Sequence, residues 1–71
     1  KTEKQTLKNK LKITRREAEV LFWVAQGKTD WEISQILSIS DRTVNKHLEQ
    51  IFPKLGVENR TSAAGVALRI L

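Results

Sequence analysis

The most varied polar chemistry of this chain is gathered in one stretch, SISDRTVNKHLEQIF, running from Ser38 to Phe52. Wound as a helix at about 100° per residue, Val44, Leu48, Ile51 and Leu55 fall within about 40° of one another's common side. The opposite arc carries Arg42, Lys46 and Glu49, with Asn45 and Gln50 at its edges. A face that meets only phosphates needs lysine and arginine. This one adds amides and a carboxylate, and those groups match base edges: Asn or Gln pairs with adenine, Glu accepts from cytosine N4, and Lys or Arg donates to guanine. On most amphipathic helices such an arc simply meets solvent. The elements around it decide between the two.

Other residues that could do chemistry lack companions. His47 is the single histidine; a catalytic base would need a nucleophile and an orienting partner, and a metal ligand would need further ligands. Cysteine is absent, which removes both a disulfide framework and a thiolate zinc site. Glu17 and Glu19 are two apart, so a helix points them in different directions. The run Gly27-Lys28-Thr29 resembles the end of a phosphate-binding loop, but the earlier glycine and the strand are missing. It reads instead as a helix stop followed by a cap. No enzyme, no metal site and no cofactor is expected.

The elements that must position the polar arc have clear start signals. Thr14 followed by Glu17 forms a capping box, with Ile13 placed to staple against Ala18. Val20, Leu21, Val24 and Ala25 then recur at helical spacing, and Gly27 suits the left-handed closing position. Thr29 and Glu32 repeat the box ahead of Ile33, Ile36 and Leu37, a helix of only about two and a half turns that packing must hold. After a tight turn, Ser40 caps a third helix over about 40–55 with Asp41 at its positive end, and Ile39 is placed to staple against Val44. The chain turns again at Gly56, and Asn59 caps a last, small-residue helix. The expectation is a compact all-α domain of four helices over 13–71, containing a helix-turn-helix.

Length and charge agree with one small domain. A chain of 71 residues buries about 60% of its unfolded surface, so the core is small. The net charge of +5 suits a polyanion, but residues 1–12 hold five lysines and one glutamate, a net +4. The other 59 residues hold eight basic and seven acidic groups, a net +1. Residues 1–12 therefore read as a solvated basic linker or tail. No apolar run is long enough to span a membrane and no signal-peptide pattern is present; with cysteine absent, the cytoplasm is expected. The chain opens on Lys1 rather than Met and reads as a piece cut from something longer.

Taken together, TRREAEVL, GKT with EI after it, SISDRTVNKH and KLGVENR resemble, in order and spacing, the LuxR-type DNA-binding domain, the family that includes the output domains of NarL-type response regulators. The resemblance covers about Leu11 to Ala64. It implies that Asn45, Lys46 and Glu49 point into the major groove, and that Arg42, Thr43 and His47 meet phosphates, with Lys28, Thr29 and Lys54 as further phosphate contacts. It also implies that Glu17 and Arg60 support the fold. The last helix would pair two copies through Ala64, Ala67, Leu68 and Leu71 on a two-fold related DNA site. Double-stranded DNA and a second copy are thus the expected partners, with RNA polymerase a further one.

Three positions depart from the family pattern. Glu49 stands where many relatives carry a basic residue. Trp31 stands where a polar residue is commoner, and could pack on the basic tail, on another domain, or sit partly buried. Pro53 removes the N–H that would bond the Glu49 carbonyl, so the third helix is expected to kink there rather than end early. Two other readings share some of these features: a sigma-factor-type promoter-binding domain, against which KLGVENR and the short last helix argue, and a helical protein-interaction module working through its last helix.

Overall fold

Each run of apolar residues at helical spacing, opened by a hydroxyl or amide cap, becomes a helix. The structure is a computed structural model that describes residues 2–71. Five helices follow one another with no strand among the described residues: α1 (Glu3–Leu11), α2 (Arg15–Ala25), α3 (Asp30–Leu37), α4 (Asp41–Leu55) and α5 (Arg60–Ile70). The expected caps at Thr14, Thr29, Ser40 and Asn59 each accept a hydrogen bond from an amide in the first turn. Helix α2 is the hub and packs against all four others, while α3 also packs against α4. Leu21, Val20, Ile33, Val44 and Ile51 fill the centre. None of the helices is long and apolar enough to cross a membrane.

The fifth helix corrects the expectation of a solvated tail over 1–12. Thr2 caps α1, Glu3 sits in its first turn and Lys8 and Lys10 in its last, so the charges suit the helix dipole at both ends. Leu7 is fully buried and Leu11 packs against the core. Lys4 adds a third tie, its ammonium standing 4.5 Å from the centre of the Phe22 ring and 5.2 Å from that of Trp23. A nine-residue helix would be marginal alone. Two leucines four apart, docked on α2 and α5, are what hold it.

The turns use left-handed residues. Gly27 closes α2 at φ +84° and Gly56 closes α4 at φ +70°, both positions where a side chain would be strained. Within the helix-turn-helix the same role falls to Ser38, at φ +57°, and the Ile39 N–H reaches the Ser34 carbonyl at 3.0 Å. At Pro53, α4 does not stop; it runs on to Leu55. Pro53 and Glu49 are both exposed, so water can meet the carbonyl that loses its partner.

Candidate DNA-binding face

Helix α4 is polarised about its own axis. Val44, Leu48 and Ile51 are buried, whereas Arg42, Asn45, Lys46, Glu49 and Gln50 are exposed. Thr43 and His47 lie half-buried on one flank, next to the core rather than out on the arc. Among the described residues, neither Arg42 nor Lys46 has a carboxylate within ion-pair distance. Asn45 and Glu49, one turn apart, stand 3.5 Å from each other between amide nitrogen and carboxylate oxygen. That is a long contact, weak enough for either group to exchange it for a base. Two free cations beside an amide and a carboxylate make a surface with donors and acceptors on a rigid helix.

The first turn of α3 carries two acidic residues, Asp30 and Glu32, each with a partner inside the domain. The Thr29 hydroxyl accepts from the Glu32 N–H at 3.1 Å, and the Thr29 N–H donates to Glu32 Oε1 at 2.8 Å. The Thr29 backbone amide, helped by the Thr29 hydroxyl and the nearby Lys28 charge, outweighs a small burial cost and holds that carboxyl below its ordinary value of 4.5. Asp30, the other acid of this turn, is paired with Arg60 of α5, whose guanidinium also donates to the Lys28 carbonyl. Both carboxylates beside the positive helix end are therefore engaged. Lys28 is half-buried, with its side chain in no ion pair among the described residues.

Glu17 and Arg60 hold the scaffold, as the family resemblance implies. The Glu17 side chain is 2% exposed and receives the Thr14 N–H at 2.9 Å. Burial pushes its carboxyl up, but the Lys54 ammonium and the Thr14 donors outweigh burial and hold it below 4.5. Lys54 is the surprise. Its Nζ donates to both Glu17 oxygens, at 2.9 and 3.0 Å, so the residue expected on a phosphate is committed inside the domain. The residues are 37 apart in the chain, and no local pattern joins them.

The proposed pairing surface on α5 is also corrected in one residue. Ala67 is fully buried against α5's neighbours and offers nothing to a partner, and Ala64 is partly covered by the core. Leu68 and Leu71 are exposed, at 56% and 39%. Trp31 is 63% exposed rather than partly buried. The aromatic pair that receives α1 is Phe22 and Trp23, edge to face at 4.9 Å.

A short capped helix, a three-residue turn and a longer helix with an exposed mixed face define the helix-turn-helix class of DNA-binding domains. Residues 11–67 match the family described as "Bacterial regulatory proteins, luxR family", and the chain belongs to it. It is 52% identical over 59 residues to the HTH-type quorum sensing-dependent transcriptional regulator RpaR of Rhodopseudomonas palustris, covering 83% of this chain and 24% of that protein. It is 48% identical over 58 residues to the transcriptional activator protein BjaR1 of Bradyrhizobium diazoefficiens, covering 82% and 24%. Against the transcriptional activator protein AhyR of Aeromonas hydrophila the identity is 51% over 61 residues, covering 83% and 24%. The chain thus spans about a quarter of the length of these relatives. It is a DNA-binding domain of transcription regulators, not an enzyme.

Proposed function

We propose that this domain reads a specific double-stranded DNA site by laying α4 in the major groove, as the output end of a larger signal-responsive regulator. The observation that carries this reading is the exposed arc of α4, where Asn45, Lys46 and Glu49 project from a helix whose other side is locked in the core. These three read base edges, and Glu49, in place of a basic residue, selects cytosine. Arg42, Thr43 and His47 along the helix, with Lys28 and Thr29 at the start of α3, meet phosphates and set the register. Leu68 and Leu71 join two copies on a two-fold symmetric site, with Ala64 at the margin. Names such as "activator" and "quorum sensing-dependent" among the relatives support a regulated role in transcription, with RNA polymerase as a further partner. That role also places the domain in the cytoplasm.

Selection of bound duplexes from a randomised library at near-physiological salt is the direct test. A two-fold symmetric motif is the expected product. Enrichment without symmetry would remove the dimer, and binding without enrichment would remove base reading by α4. On the recovered duplex, Asn45→Ala or Glu49→Ala should relax the preference at one position each by about 1–3 kcal/mol for a lost bidentate contact. If the domain were a protein-interaction module instead, both changes would leave duplex affinity untouched.

A further inference from the structure

The apolar seam locks which residues of α4 face inward, but its aliphatic contacts hold the helix's fine rotation about its own axis less sharply than a directional bond does. Val44, Leu48 and Ile51 are aliphatic, and apolar packing has no direction. With side chains the helix is about 10–12 Å across, so a rotation of about 20° carries the tips of Asn45 and Glu49 by roughly 2 Å. A displacement of that size exceeds the distance range of a good hydrogen bond. Base reading by this face therefore gains from a directional contact that resists the last degrees of rotation.

Lys54 supplies it. It projects about 90° from the centre of the seam, on the flank away from Asn45, where a tether acts across the axis. Both oxygens it reaches belong to Glu17. That carboxylate is itself a fixed point, nearly fully buried and held by the Thr14 N–H at the start of α2. We propose that Lys54 is a positioning residue for base recognition, its ion pair with Glu17 setting the rotation of α4. The role rests on α4 being the reading helix, and it replaces the phosphate contact expected for Lys54.

The test compares the duplex recovered by library selection with a shuffled duplex of the same length, each across a range of salt. Affinities are corrected for the folded fraction, followed by circular dichroism. Lys54→Met keeps the aliphatic stem and removes the charge; it should lower affinity for the selected duplex by about tenfold, within the span of one base contact. Affinity for the shuffled duplex and the slope of log affinity against log salt should stay as in the parent, and Lys54→Arg should restore most of the loss. A slope reduced by about one would make Lys54 a phosphate contact after all. Equal losses on both duplexes, or none on either, would also overturn the proposal. Glu17→Gln separates the two roles a second way. A freed Lys54 that contacts phosphate would strengthen shuffled-duplex binding, whereas a lost tether weakens only the selected one. A parent domain that shows no preference between the duplexes would fail the reading-helix assignment itself, before any variant is made.

Discussion

Helices α2 and α3 begin with the same four-residue device, Thr14 to Glu17 and Thr29 to Glu32. In both, the threonine hydroxyl accepts the glutamate N–H at 3.1 Å and the glutamate returns a bond to the threonine N–H. Locally the two are interchangeable. Glu17, however, is 1% exposed and bound to Lys54 of α4, while Glu32 lies at the surface. One box is a joint between two helices, and the other only closes a helix end. The lesson is that a capping motif reports where a helix starts, and burial decides what else the same carboxylate does.

The largest effect should come from removing the joint. Glu17→Ala takes away the cap, opens a void and strands Lys54, which can turn toward solvent because it is 42% exposed. A loss of about 2–3 kcal/mol follows, below that of a fully buried pair. In a domain of this size that lowers Tm by roughly 10–20 °C. Glu32→Ala should move Tm far less, and equal shifts for the two would break the comparison. Thr14→Ala and Thr29→Ala sharpen it, since each removes only the hydroxyl cap. Both should cost about 1 kcal/mol, and a clearly larger loss at Thr14 would mean that the cap and the Lys54 pair act as one unit.

A smaller effect should appear in acid. Both carboxyls sit below their ordinary value in the folded state, so the folded protein releases protons that the unfolded chain would hold. Their stabilisation is fully present above 4.5 and is lost as pH falls through the lowered folded value. Denaturant melts of the parent and Glu17→Gln should therefore differ at neutral pH and converge in acid. A gap that widens below pH 4.5 would reverse the sign assigned to Glu17.

Much of the fold is legible because caps and apolar spacing are local. Thr14, Thr29, Ser40 and Asn59 mark four helix starts without reference to the rest of the chain. Helix α1 escapes for a local reason too: Leu7 and Leu11 are its only apolar residues, and five lysines over 1–12 read as solvated. Ser38 gives no warning of its positive φ, since the turn asks for a conformation that glycine usually supplies. Ala67 looks as free as its neighbours in a small-residue helix until α5 is docked, which turns it into the core.

Sequence alone determined the helix starts, the polar arc of α4 and the family, because each depends on residues a few positions apart. The tertiary structure decided how far those elements are committed to one another. It buried Glu17 and gave it Lys54, set Arg60 on Asp30, docked α1 through Leu7 and withdrew Ala67 from the surface. These are pairings between distant parts of the chain. Their energies depend on which groups lose water together, and only the packed fold determines that.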